Sequence, residues 1–172
     1  MPTAAETRRI VAAVRNAPGH RVKVAVSDID GVLRGKYLHK DKFVSAVESG
    51  FGFCDVVFGW DVMDVTYDNT TLTGWHKGFP DALARIDLAT HRSVPWDDDV
   101  PFFLGEFVET RGGKEQPLPI CPRQVLKRVL RRAEKLGFAP MCGMEFEWFN
   151  FRETPQSWAD KKGVGPMPVT PG

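Results

Sequence analysis

Two acidic pairs, each split by one residue, are the first candidates for chemistry in this 172-residue chain: Asp28-Ile29-Asp30 and Glu145-Phe146-Glu147. The first follows the apolar run VKVAV and ends in Asp30-Gly31. Its carboxylates could contribute to a site. Asp-Gly is also a favoured hairpin turn, in which Asp28 would hydrogen-bond backbone. In the second pair, residues i and i+2 of a strand share one face, so both glutamates would point the same way, with Phe146 and Trp148 on the other. Two carboxylates held that close repel unless a cation or a basic partner compensates. Mg²⁺ or Mn²⁺, which favour carboxylate oxygen, would do so; an edge strand with two solvated glutamates is the alternative. A third acidic set, Asp61, Asp64, Asp68 and Asn69, lies in the glycine- and aromatic-rich stretch 50–79. A long irregular segment there is expected to be functional or mobile.

The elements that must position these groups follow from periodicity. Residues 5–16 predict a helix ended by Pro18-Gly19. Val22, Val24 and Val26 alternate with Lys23 and Ala25 as in a strand, and Val32–Leu38 returns as its hairpin partner. Phe43, Val44 and Val47 mark a helix over 40–49, stopped by Gly50. Val56-Val57-Phe58 reads as a short strand, 81–96 as an extended stretch and 101–110 as a strongly apolar strand, with 111–119 a linker or hairpin turn. Residues 121–137 predict the clearest helix, with Pro122 in its first turn and Gly137 at its end. Its apolar stripe runs Val125, Leu126, Val129, Leu130, Ala133 and Leu136, and its opposite face is basic. That face suits an anion, solvent or intersubunit ion pairs. Residues 140–151 read as a buried strand, after which the chain runs out in Pro and Gly. A lone strand cannot bury two faces, so the expectation is a chain that stops soon after starting a second, larger unit.

Composition narrows the classes. Hydrophobic residues are 42% and charged residues 26%, enough for a core without metal or disulfide support. Lys plus Arg number 23 against 22 Asp plus Glu, which argues against a surface spread out for polyanions. Trp60, Trp75 and Trp96 lack interleaved basic residues, so core or interface contacts are expected rather than nucleic acid. Three cysteines without a CxxC suggest buried thiols, and the four histidines never reach metal-ligand spacing. No apolar run is long enough for a membrane span, and residues 1–16 lack a signal-peptide core, so a cytoplasmic location is expected.

Two family resemblances bear on these residues. Asp28-Ile29-Asp30-Gly31-Val32-Leu33 resembles the opening motif of haloacid-dehalogenase-type phosphatases, which implies Asp28 as nucleophile and Asp30 as acid/base. That family needs a helix after the motif, whereas LRGKYL reads as a strand. The wider pattern is similar to the glutamine synthetase-like ligases, which include γ-glutamyl-polyamine synthetases. The likeness runs from about residue 22 to about 160, through VLRGKYL, GFGFCDVVFGWDV, RIDLATHRSVPW, FFLGEFVE, PICPRQVLKRVLRRAEKLGF and above all GMEFEWFNF, in that order.

This second resemblance implies an α+β fold. After an N-terminal helix (1–19) would come a β-grasp-like N-terminal domain (20–112), then the first helix and strand of an incomplete catalytic domain (113–172). It implies that Glu145 and Glu147 bind Mg²⁺ or Mn²⁺. It further implies that the loop with Phe58-Gly59-Trp60-Asp61 reaches a neighbouring subunit's active site in a homo-oligomer, where an Asp binds and deprotonates the incoming ammonium. Asp61 is the nearest match and Asp64 the next. The usual Asp-Gly-Ser-Ser form of that loop is missing, so an amine substrate fits at least as well as ammonia. The family reaction uses ATP to phosphorylate the γ-carboxylate of glutamate, and the amine then attacks the acyl phosphate. Because later metal and phosphate ligands lie outside these residues, the isolated chain is expected to be inactive. A non-enzymatic β-grasp interaction module is the alternative reading.

Overall fold

The computed structural model describes residues 2–169. The chain divides into two compact units, Met1–Phe138 and Ala139–Gly172.

In the first unit, helix α1 (Ala4–Asn16) opens with Thr3 and Glu6 capping each other's backbone N–H groups. Strands β1 (Arg21–Ser27) and β2 (Leu33–His39) form the antiparallel hairpin, with Val26 opposite Arg34 and Val22 opposite Leu38. Helix α2 (Lys40–Ser49) follows and stops at Gly50, whose φ of 77° lies in the left-handed range. Then come β3 (Phe51–Cys54), β4 (Asp81–Val94), β5 (Val100–Arg111), β6 (Lys114–Pro117) and helix α3 (Pro122–Lys135). The strands form one open sheet in the order β2-β1-β5-β4-β3, with β6 folded back on β5 through Gly112-Gly113. The β1–β5 pair is parallel and the others are antiparallel. The fold is therefore mixed α/β around an unclosed sheet.

One face of the sheet carries the core. Val22, Val24 and Val26 of β1, Ala84 and Leu88 of β4 and Phe103 and Phe107 of β5 meet Val14 of α1 and Phe43 and Ala46 of α2. The Phe43 and Phe103 rings lie 4.7 Å apart, as do those of Phe58 and Phe107. Such aromatic pairs add about 0.5–1.5 kcal/mol each beyond area burial. Asp87 and Glu106 alternate with these core residues along β4 and β5 and so fall on the opposite face.

That opposite face holds α3, in a manner that departs from its periodicity. The apolar stripe predicts that Leu126, Val129, Leu130 and Leu136 are buried; all four are exposed, Leu126 by 57%. The helix is instead held by its polar side. Arg123 Nη2 lies 2.8 Å from Asp87 Oδ2 and 3.1 Å from Glu106 Oε1, Gln124 Nε2 donates to Glu106 Oε2 at 3.0 Å, and Lys127 pairs with both carboxylates. Burial works against the charge on Asp87, yet the bond from Lys127 and the nearby Arg123 hold its carboxyl below the usual range. One buried and one half-buried carboxylate need their cations, and that demand sets the rotation of α3.

Three further expectations are corrected. Residues 55–58 form a short 3₁₀ turn rather than a strand; the strand lies just before it, at Phe51–Cys54, paired with β4. Residues 140–150 form no strand, and every one of them is exposed. A strand needs ladder partners for its N–H and C=O groups, and no described residue pairs with this segment. Of the cysteines, Cys121 is buried and Cys54 half-buried, but Cys142 is exposed.

The second unit is small. Helix α4 (Pro155–Asp160) is capped by Thr154 and Ser157, and Phe151 pairs with Pro168. Glu153 ties it together by accepting from Lys161 Nζ at 2.6 Å, from the Ser157 hydroxyl, and from Met167 N at 2.7 Å. These bonds, that of Lys161 first, hold the Glu153 carboxyl down at about 2. No helix among the described residues is long and apolar enough to cross a membrane.

Candidate functional site

The β1–β2 turn and the segment 55–79 meet in one acidic cluster. Asp28, at the end of β1, is fully buried. Its Oδ1 accepts from Asp30 N at 3.0 Å and Val32 N at 2.8 Å, and its Oδ2 from Arg34 Nε at 2.8 Å. Three donors thus tie its carboxylate to the β1–β2 hairpin. Val32 leads straight into an antiparallel strand, not a helix. Both facts remove the phosphatase reading of Asp28 and Asp30.

Segment 55–79 is irregular in outline but closely bonded. Ile29 N donates to Val57 O, tying it to the β1–β2 turn, and Asp55 N donates to Pro80 O, closing its ends. The Thr73 hydroxyl donates to the buried Asp55 Oδ1 at 2.6 Å. Gly59 lets two arms of the segment touch: a Cβ there would lie 2.5 Å from Thr73 Cγ2. Tyr67 N donates to Gly59 O, and Trp60 bridges to Thr66.

At the tip, Asp61 organises its own turn. Its Oδ1 accepts from Met63 N at 2.8 Å and Val65 N at 3.0 Å, while its N–H donates to Val65 O. Among the described residues nothing donates to its Oδ2, which leaves one oxygen to meet an external N–H. Asp64, within that turn, has a left-handed φ of 63° and pairs with Arg34 Nη1 at 2.6 Å. The Arg34 guanidinium also lies over the Trp60 ring, 4.6 Å from its centroid. Asp28 chiefly, and Asp64, raise the Arg34 pKa further, so this cation is permanent. Desolvation, then Asp30, Asp61 and Asp28, push the Tyr67 phenol up, so it remains a neutral donor beside the carboxylates.

Asp61 and Asp64 thus share one loop, as their spacing indicates. Sequence reading missed Arg34 and Tyr67. The available signal for Arg34 was its place in the hairpin, six residues after a buried Asp.

Glu145 and Glu147 lie apart from this cluster in sequence, in the exposed segment 140–150 of the second unit. Phe146 is 76% exposed and Trp148 71%, so the apolar side that should back the pair is bare. Among the described residues no three His, Cys, Asp or Glu side chains gather closely enough to hold a metal ion. Mg²⁺ held by one or two carboxylates takes its remaining positions from water and substrate phosphates, so this pair could supply only part of a site. The residues present do not build a divalent-metal centre by themselves, and no residue here is assigned to ATP.

Comparison with known proteins decides the family. No family model matches the chain. It is 51% identical over 151 residues, 88% of its length, to type-1 glutamine synthetase 2 of Dictyostelium discoideum. This chain belongs to the glutamine synthetase-like γ-glutamyl ligases. It is also 34% identical over 129 residues, 74% of its length, to the glutamate–isopropylamine ligase of a Pseudomonas species. It spans 28% of the length of each relative. Among solved structures, a glutamine synthase homologue superposes with a TM-score of 0.56 at 24% identity, over 69% of this chain and 28% of that one, and shares the fold.

Proposed function

We propose that this chain is part of an ATP-dependent glutamate–ammonia or glutamate–amine ligase that works through γ-glutamyl phosphate, and that it supplies the amine-handling loop. The observation that carries the reading is the 51% identity to a type-1 glutamine synthetase over nearly the whole chain. The geometry of Asp61 supports the role: one oxygen is fixed by two backbone N–H groups, and the other is open to an ammonium or amine proton. In this role Asp61 orients the amine and takes up its proton, while Asp64 lends negative charge nearby. An amine in place of ammonia is supported by the likeness to a ligase named for isopropylamine.

In the same reading, residues 20–112 are the β-grasp-like N-terminal domain, with the parallel β1–β5 pair at the centre of the sheet. Residues 113–172 open the catalytic domain. The loop around Asp61 completes the site of a neighbouring subunit in an oligomer. Glu145 and Glu147 join a Mg²⁺ or Mn²⁺ ligand set whose other members, like the ATP site, come from residues outside this chain. The isolated chain should therefore not turn over. The test is ADP release from ATP with glutamate plus ammonia, isopropylamine or putrescine. Release no greater than that of Glu145→Gln is expected; turnover above that background would overturn the reading.

A further inference from the structure

Arg34 stands outside the acidic pairs, yet its guanidinium touches three parts of the acidic cluster. Its Nε meets buried Asp28 at 2.8 Å, its Nη1 meets Asp64 at 2.6 Å, and its flat face covers Trp60. Asp28 in turn is bound by the N–H groups of Asp30 and Val32, so one end of the bridge is anchored in the β1–β2 turn. The other end is the Asp61–Val65 turn, in which Asp64 holds a backbone conformation that non-glycine residues rarely adopt. Asp64 N donates to Asp61 O, so a shift of Asp64 moves Asp61 directly.

We propose that Arg34 is the positioning residue of the acidic loop, a fork that pins Asp64 and Trp60 to the sheet and so fixes the direction in which Asp61 presents its open oxygen. The functional meaning of this fork rests on the amine-loop reading above; the fork itself does not. Lysine could not replace it, because a single ammonium cannot meet two separated carboxylates and stack on an indole at once. Trp60 supplies the flat surface that a planar cation needs. The contacts also separate the two aspartates of the loop: Asp64 pairs with Arg34, whereas Asp61 Oδ1 holds two backbone N–H groups and its Oδ2 has no donor among the described residues.

The test is NMR on the whole 172-residue chain without any amine, reading the Met63 and Val65 amides, whose protons bond to the Asp61 carboxylate. In Arg34→Met these two resonances should lose their downfield position and exchange at least tenfold faster, while the Val24 and Phe103 amides of the sheet stay as they were. Arg34→Lys should restore less than half of the change. Asp64→Asn cuts only the loop end of the bridge; it should reproduce the loss at Met63 and Val65 while the Asp30 and Val32 amides keep their bonds to Asp28. It also decides the matter if Arg34→Met leaves Asp28 unpaired and fails to fold. Unchanged Met63 and Val65 amides in Asp64→Asn, or a loss spread evenly over the sheet, would overturn the proposal. Because no amine is added, a negative result leaves the amine reading standing. Conversely, failure of that reading leaves the fork intact.

Discussion

The carboxylate pair expected to be catalytic and the pair expected to bind metal live in opposite surroundings. Asp61 and Asp64 sit on a loop that is irregular yet bonded at nearly every turn, braced by Arg34 and by a buried Asp28. Glu145 and Glu147 sit on an exposed segment with no ladder and no bracing cation among the described residues. Preorganisation of a site is a property of what packs behind it, not of the acidic residues themselves. The first pair carries its support within this chain. The second pair has no comparable support among the described residues.

That contrast can be broken most forcefully at Asp28. Asp28→Ala strips the half-buried Arg34 and two backbone N–H groups of their acceptor, which should cost about 3 kcal/mol of unfolding free energy by denaturant titration. A cost below about 1 kcal/mol would show that the bridge carries little. Asp61→Ala removes two charge-assisted bonds at a half-exposed turn and should cost about 1–2 kcal/mol, concentrated in protection of Met63 and Val65.

The second unit offers a pH test. The Glu153 carboxyl is held at about 2, below its ordinary value near 4.5. A depressed carboxylate stabilises fully above the unfolded pKa and loses that contribution as pH falls through the folded one. The contribution of Glu153 to stability should therefore be full above about pH 4.5 and lost by about 2, and the Met167 amide shift of the folded chain should titrate near 2; a midpoint near 4.5 would contradict the assigned contacts. The smallest effect belongs to the exposed pair. Glu145→Gln and Glu147→Gln should each change stability by less than about 0.5 kcal/mol, and a larger loss would mean that the segment is packed after all.

Much of the first unit is legible in its residues. Alternating Val22, Val24 and Val26 followed by Asp30-Gly31 specify the hairpin, and the Phe43 face and Gly50 specify α2, because these signals are local. The acidic loop was legible as a place but not as a structure. Its order comes from Arg34, Thr73 and Gly59, which act across the fold, and no periodicity reports on such contacts. Helix α3 inverted its expected orientation because Asp87 and Glu106, on separate strands, face the sheet's second side and claim Arg123 and Lys127. The stretch 140–150 has the composition of a buried strand, yet composition supplies no ladder partner.

The account stands or falls on whether this chain can serve as the corresponding part of a working ligase. The direct measurement replaces the aligned 151 residues of the Dictyostelium type-1 glutamine synthetase 2 with those of this chain. ADP release is then followed with glutamate and ammonia, isopropylamine or putrescine, with and without Asp61→Asn. The account predicts a folded, active chimera whose turnover with at least one amine or ammonia falls about a hundredfold in Asp61→Asn. A folded chimera without activity, or one indifferent to Asp61→Asn, would contradict it.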